Sequence, residues 1–421
     1  MDRTERHIYL ALAAFPLLLI AAGCAVDSPV AILAGLRAIV RSHSLLLTDY
    51  LAVGGLGATL VNAGLCGVIS VGLMAMNRIK VSGPFIAAVY TVIGFAFFGK
   101  NIINIWPLLG GVWLYTRYQG VDYRDYLIVA LFGTTLAPLA SFVAIGSEWP
   151  WGLAIPLGLC AGLAAGFVLP PLASHMLRFH DGYNIYNVGF TGGLIGSFLS
   201  AVLRSFGLTI QTGELISHDY SFFLGVLLNL SFLAMIAGGA LNARNQWPQL
   251  RESGRAILNS SGRLVSDFVR IGGLAATVIN MGVMGLLSSA FVLLLRGTFN
   301  GPVIGGILTV VGFAAFGKHF KNSLPILAGV CIAAYVTQWT PDSTPVIIAG
   351  LFGTTLAPIA GQYGIKAGLL AGFFHLSVVM NVGMLHGGMN LYNNGFAGGF
   401  VAAMLVPVME ALKRKEKSDE Q

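Results

Sequence analysis

Apolar runs of crossing length recur from one end of the chain to the other, and the polar positions fall in short clusters between them. At 1.5 Å per residue, about 20 residues cross the roughly 30 Å of bilayer hydrocarbon. The pattern predicts fourteen segments, near 8–26, 52–76, 84–98, 102–118, 126–145, 152–174, 188–206, 220–243, 271–295, 302–316, 322–338, 345–362, 364–382 and 393–410. Two of these, 84–98 and 302–316, are short for a full crossing and are read as transmembrane or re-entrant.

The segments fall into two copies of one unit. Leu131 to Pro138 recurs letter for letter as Leu351 to Pro358, and Gly94-Phe-Ala-Phe-Phe-Gly-Lys100 returns as Gly312-Phe-Ala-Ala-Phe-Gly-Lys318. Gly54-Gly55-Leu56 with Asn62 returns as Gly272-Gly273-Leu274 with Asn280, and Asp49 meets Asp267, all at an offset of 218. His180-Asp-Gly-Tyr-Asn-Ile-Tyr-Asn187 matches His386-Gly-Gly-Met-Asn-Leu-Tyr-Asn393 at an offset of 206, so the second copy has lost a stretch after Pro358. The organisation expected is a first repeat over 1–215, a second over 216–412 and a charged tail over 413–421. Seven segments separate each element from its copy, and an odd number inverts the second copy relative to the first. Inverted repeats are a recurring plan of secondary transporters. The fold class expected is therefore an all-α polytopic membrane protein with two tandem, inverted, seven-segment repeats.

Composition agrees: 56% of residues are hydrophobic and 10% charged, against roughly 25% charged in soluble domains. The net charge of +7 reflects Lys and Arg gathered on alternate loops, which marks the cytoplasmic side rather than a nucleic-acid partner. Those loops hold Arg78, Lys80, Arg117, Arg124, Arg178, the arginines of 244–270, Lys318, Lys321 and the tail, whereas Glu148, Glu214, Asp219 and Asp342 face the other way, with Arg37, Arg41, Lys100 and Arg296 as exceptions. Both termini are then cytoplasmic, and a bacterial inner membrane is the expected location. The four cysteines lie in apolar stretches without paired or metal-ligand spacing and read as core. A lipoprotein signal ending at Cys24 is the alternative for the first run, but the repeat needs that run as structure.

The short helices open with Ser82-Gly83-Pro84 and Asn300-Gly301-Pro302, a helix-start signature that leaves free backbone N–H groups. A facing pair of such ends at membrane depth would attract an anion or polar group, with Asn62 and Asn280 in reach. These eight residues are the first candidates for substrate binding. Lys100 and Lys318 come second, although snorkelling toward headgroups explains a lysine past a helix end. Thr134, Thr135, Thr354 and Thr355 precede mid-helix prolines, where hydroxyls either bond the preceding turn or coordinate an ion. His180, Asn184, Tyr186 and Asn187, with His386, Asn390, Tyr392 and Asn393, form the most polar repeated cluster, which a loop at headgroup level with an aromatic anchor would also explain. Asp49 and Asp267 read as helix caps.

The repeated His-x-Gly-x-Asn-x-Tyr-Asn and Leu-Phe-Gly-Thr-Thr-Leu-Ala-Pro motifs resemble those of a duplicated bacterial membrane-protein family catalogued as a domain of unknown function, family 1576, which brings no established substrate. In architecture, seven plus seven inverted spans with a shortened third and tenth is similar to the nucleobase and sulfate transporter superfold, but the carboxylates which that resemblance implies at a nucleobase site are missing. No catalytic motif, metal site or cofactor site appears, so no enzyme and no cofactor is expected. The expected work is transport or facilitated passage of a small polar or anionic metabolite by alternating access. The alternative is a channel-like pore for a small neutral solute such as urea, and a membrane-embedded enzyme is a distant third. The partners expected are a small-molecule or ion substrate and the lipid bilayer, without nucleic acid; a homo-oligomer is compatible with the pattern.

Overall fold

The structure, a computed structural model, describes residues 3–419 apart from 148, 209, 211 and 212, with the side chains of 3, 4 and 414–419 left aside. Glu148 and the tail side chains Arg414, Lys415 and Lys417, used above for sidedness, lie outside the described residues. Every described element is a helix, and ten helices are long and apolar enough to cross a membrane. The chain is a multi-pass membrane protein.

The first repeat runs α1 (Arg3–Val26), α2 (Pro29–Val40), α3 (Tyr50–Met76), α4 (Gly83–Phe95), α5 (Trp106–Gln119), α6 (Tyr123–Gly133), α7 (Ala137–Ser141), α8 (Trp151–Met176) and α9 (Asn187–Ser205). The second runs α10 (Ser221–Asn242), α11 (Trp247–Asn259), α12 (Phe268–Leu294), α13 (Gly301–Phe313), α14 (Phe320–Val336), α15 (Thr344–Gly353), α16 (Ala357–Tyr363), α17 (Ile365–Val382) and α18 (Asn393–Asp419). All fourteen predicted segments are helical. The sequence reading missed α2 and α11, which are too short to cross and lie between longer elements. The predicted tail is no separate element, because α18 continues through it to Asp419.

Equivalent helices break at equivalent places. α3 and α12 are each interrupted by a glycine with positive φ, Gly55 at 80° and Gly273 at 73°, a conformation that costs a side-chain-bearing residue strain. Thr59 and Thr277 then donate their hydroxyls to the carbonyls of those glycines, at 2.7 and 2.8 Å, satisfying acceptors that the breaks release. α6 passes into α7, and α15 into α16, through a 3-10 turn at Thr134–Leu136 and Thr354–Leu356. The prolines 138 and 358 cannot continue the hydrogen-bond ladder of the helix before them, which explains both turns.

α4 and α13 form the centre. Each is 13 residues long, about 20 Å at helical rise, and neither spans the hydrocarbon alone. They are apolar all round and almost wholly buried, as a helix surrounded by protein must be. They pack antiparallel at backbone distance: a Cβ on Gly83 would lie 2.1 Å from the Ala315 carbonyl oxygen, and one on Gly301 2.7 Å from that of Phe97. Those two contacts are images of one another under the 218 offset. Equivalent helices that lie antiparallel are related by an axis perpendicular to both, so the two repeats are inverted.

The halves also complete each other. Asp49 caps α3 through the Leu51 N–H at 2.9 Å and accepts from the Gly301 N–H of the other repeat at 3.1 Å. Asp267 does the same for Val269 and Gly83, at 3.0 Å each. Each carboxylate therefore satisfies two helix N-termini, one from each repeat, where orphan N–H groups and the helix dipole favour an anion.

Candidate functional site

The two short helices start at opposite ends of their antiparallel pair, so their N-termini do not face one another. The shared anion site between them is not formed, and each N–H end is already bound to an aspartate. Pro84 lies with half-exposed Ser82 in an opening beside Arg270, whereas Pro302 and Asn300 are buried, the Asn300 side chain accepting from the Val303 N–H at 3.1 Å. Asn62 and Asn280 are also engaged. Asn62 donates to the carbonyls of Ala96 and Lys100 at 2.8 and 2.9 Å, and Asn280 to those of Ala314 and Lys318 at 2.7 and 2.8 Å. Each asparagine thus fixes the turn that ends a central helix and aims the lysine after it.

Those lysines do not reach toward headgroups. Lys100 and Lys318 are both fully buried, a costly place for an ionisable side chain inside a membrane protein and by default a functional one. Lys318 Nζ donates to Thr354 Oγ1 at 2.7 Å and to the Tyr186 hydroxyl, and it sits 4.4 Å from the centre of the Tyr186 ring and 5.5 Å from that of Phe313. A cation gains from both the oxygens and the ring faces. Lys100 Nζ lies 5.0 Å over the Phe95 ring and has no hydrogen-bond partner. The equivalents of the Lys318 partners are Tyr392 and Thr134. Tyr392 instead donates to Thr91 Oγ1 at 3.1 Å, and Thr134 donates to the Leu131 carbonyl at 2.6 Å.

A row of rings joins the two lysines. Phe95 meets Tyr392 at 4.6 Å, Tyr392 meets Tyr186 at 4.8 Å, and Tyr186 meets Phe313 at 4.6 Å between centroids. The tyrosines reach this place because their loops cross to the other repeat. Thr355 Oγ1 donates to Asn184 Oδ1 at 2.5 Å and accepts from the Tyr186 N–H at 3.0 Å, and Asn184 donates to the Gly395 carbonyl at 2.9 Å. Thr135, Asn390, Tyr392 and Gly189 repeat the pattern at 3.0 Å in each bond. His180 bonds Asn187 at 3.1 Å and His386 bonds Asn393 at 2.9 Å, and both asparagines return to a helix carbonyl, of Ala173 and Val379. The His-to-Asn motif is therefore a staple within the protein, its histidines buried and bonded. In each Thr-Thr pair the first hydroxyl bonds the preceding turn and the second holds the opposite repeat.

A cavity of about 180 Å³ is lined by Tyr186, Tyr392, Phe313 and Val265; Lys318 itself is not in its wall. Val265 is 74% exposed, whereas its equivalent Leu47 is 7% exposed. The inter-repeat linker causes the difference: Leu215 pairs with the backbone of Leu47 and Asp49, and the Ser217 N–H bonds the Asp49 carboxylate. A larger cavity of about 500 Å³ between α1 and α10 carries Tyr90, Ser231 and Asn242 as its polar side chains and no charge.

A family described as a protein of unknown function (DUF1576) matches residues 28–205 and 248–411, most of the chain. The chain belongs to this DUF1576 family. The matched stretches leave out α1 and α10, equivalent helices packed on α3 and α12, so the DUF1576 unit corresponds to the part of each repeat that builds the lysine and tyrosine centre. No curated protein and no solved structure matches the chain.

The sequence reading named Tyr186 and Tyr392 within the polar cluster but passed over Phe95 and Phe313, which meet them, and the equivalent threonines Thr91 and Thr309. Phe95 and Phe313, Thr91 and Thr309, and Tyr186 and Tyr392 are identical between copies at the two offsets, and that identity was the available signal.

Proposed function

We propose that this DUF1576 protein is a secondary transporter of a small anionic metabolite in a bacterial inner membrane, working by alternating access between its inverted repeats, with both termini cytoplasmic. The observation that carries the reading is the unequal state of two equivalent lysines. Lys318 is bonded to Thr354 and to Tyr186, a residue that lines a cavity reaching Val265, whereas Lys100, at the end covered by the linker, is not bonded. Two equivalent ends in unequal states, one with a cavity behind an exposed Val265 and one covered, are what an inverted repeat would adopt when it faces one side; exchanging the states would give the other facing form. Two buried lysines without carboxylate neighbours would be charged most readily with an anion beside them, which favours an anionic solute. A neutral solute would gain only their hydrogen bonds, which sets the pore reading second.

Cysteine labelling tests the exchange. With Cys24, Cys66, Cys160 and Cys331 replaced, Val265→Cys is expected to react with an impermeant maleimide from the cytoplasmic face, and Leu47→Cys more slowly from the other. Prior attachment of a bulky group at 265 that holds that end open should slow labelling at 47 at least tenfold. Independent labelling at the two positions would remove alternating access. Proteoliposomes loaded with small carboxylates should show saturable counterflow, and linear flux with no counterflow would return the pore.

A further inference from the structure

The cavity of about 500 Å³ between α1 and α10 lies apart from the lysine and tyrosine centre. α1 packs on α3 and α10 on α12, and the space left between the two helices is walled by both, by α12 and by the central helix α4.

The chain fixes how this cavity lies in the bilayer. Tyr9, near the start of α1, donates to the Ile79 carbonyl of the α3–α4 loop at 2.6 Å, and Asp267, just before α12, caps α4 at the end of that loop. The starts of α1, α4 and α12 therefore share one membrane surface. Asn242, the last residue of α10, stands with Val81 of the same loop in the cavity wall, so α10 ends there as well. From that surface the wall runs inward from Ile8 to Leu18 on α1 and from Asn242 to Ser231 on α10. At 1.5 Å per residue each stretch is about 15 Å, half of the roughly 30 Å of hydrocarbon. The cavity is one leaflet deep.

Below the surface the wall is apolar. The Ser231 hydroxyl is already given to the Leu227 carbonyl at 2.7 Å, and the Tyr90 ring stacks on Phe15 at 5.5 Å. A Cβ on Gly238 would meet nothing within 4 Å, whereas one on neighbouring Gly239 would lie 2.7 Å from the Ile279 side chain, so the slot is open along one side of α10 and the helix is packed on the other. Charge gathers at the mouth alone. Exposed Lys80 adjoins Val81, exposed Arg244 follows Asn242 by two residues, and exposed Arg6 precedes Ile8 by two. Glu5 is the acid near them, and Asp267 is already paired with Arg270 at 3.4 Å, which leaves the mouth positive.

We propose that this slot holds one acyl chain of an anionic phospholipid, taken from the leaflet on the side of the 244–270 loop, with its phosphate at Lys80 and Arg244. Basic residues at a membrane surface attract anionic headgroups, and an apolar slot one leaflet deep with cations only at its open end matches such a molecule along its length. A zwitterionic lipid would fill the slot and gain less at the mouth. Because Ile86 and Tyr90 belong to α4, the chain rests against the central pair, between the two repeats, rather than on the outer surface. Binding needs no transport cycle, so the proposal stands apart from the transporter reading.

The test is native mass spectrometry of the purified full chain, incubated in detergent with phosphatidylglycerol or phosphatidylcholine of identical acyl chains. The wild type is expected to keep one phosphatidylglycerol per chain, saturably, at an at least fivefold lower lipid concentration than phosphatidylcholine. Gly238→Leu sets a side chain into the slot and should need at least tenfold more of either lipid. Gly72→Leu, equally free of contacts but away from the cavity, should behave as the wild type. The double variant Lys80→Gln with Arg244→Gln should keep the lipid and lose the preference. Equal, unsaturable uptake of both lipids by the wild type, unchanged uptake by Gly238→Leu, or a preference that survives the double variant overturns the proposal. Should Gly238→Leu fail to fold, a phosphatidylglycerol carrying a diazirine midway along one chain decides on the wild type: crosslinks at Ile86, Tyr90 or Met235 support the slot, and crosslinks confined to residues outside it refute it. Lipid retained without counterflow would count against the transporter reading alone.

Discussion

Replacing each central lysine by methionine makes equivalent changes in non-equivalent states, so the two effects on stability should differ in sign. Lys318→Met removes a donor from the Tyr186 hydroxyl and Thr354, and takes a cation from two ring faces. Hydrogen bonds to charged groups contribute about 1.5–3 kcal/mol each, from which the relieved cost of burying the ammonium is subtracted, leaving a loss of about 1–3 kcal/mol. Lys100→Met removes a buried group that bonds nothing and sets a thioether over the Phe95 ring, a contact favourable to sulfur. An unsatisfied buried polar group costs about 1–3 kcal/mol, so this variant should gain that much. The assay is equilibrium unfolding in micelles, followed by tryptophan fluorescence with the linear extrapolation applied to both variants. A gap of several kcal/mol is expected. Equal changes of one sign, within about 0.5 kcal/mol, would refute the view that the two lysines occupy different states.

Thr355→Val keeps the shape but strips the hydroxyl that joins Asn184 and the Tyr186 N–H, and should cost about 2–4 kcal/mol by leaving two buried groups short of a partner; Thr309→Val, whose hydroxyl bonds only its own helix at Gly305, should cost under about 1 kcal/mol by the same measurement. Asp267→Ala uncaps α4 and α12 together, and a loss of about 2–4 kcal/mol is expected from two caps, against no more than about 1 kcal/mol if Asp267 serves α12 alone. Gly83→Ala places a methyl 2.1 Å from the Ala315 carbonyl, so the folded fraction on size-exclusion chromatography should collapse, and wild-type recovery would show that the helices are not in backbone contact.

The duplication, the inversion and all fourteen segments were legible because they rest on identity between copies and on hydrophobic length, two properties a sequence carries directly. The site was less so. Gly83-Pro84 and Gly301-Pro302 correctly signalled two buried half-length helices, but whether their ends meet depends on how those helices pair, and Asp49 and Asp267 already supplied the anions. Lys100 and Lys318 were set behind them because a lysine past a helix end ordinarily reaches for water. Their burial follows from Asn62 and Asn280, whose amides draw the backbone of the lysine turns inward across 38 residues of sequence. The asparagines and lysines were thus all named, and the structure joins them: each asparagine holds the turn that carries a lysine. Nothing in the sequence distinguishes a bonded Lys318 from an unbonded Lys100, since the difference lies in which end the linker covers.

The crossing of the two halves also sets a timetable for synthesis. Asn184 waits for Thr355, 171 residues later, and Asp49 waits for Gly301, 252 residues later. Until Gly301 and Thr355 have left the ribosome, the first half sits in the membrane with the Asp49 carboxylate short of one of its three N–H partners and the Asn184 loop without the threonine that holds it. Such long-range closure is slow. A nascent chain stalled before residue 301 should therefore be held by the insertion machinery and be cut readily by membrane proteases, whereas one released after residue 363 should resist them.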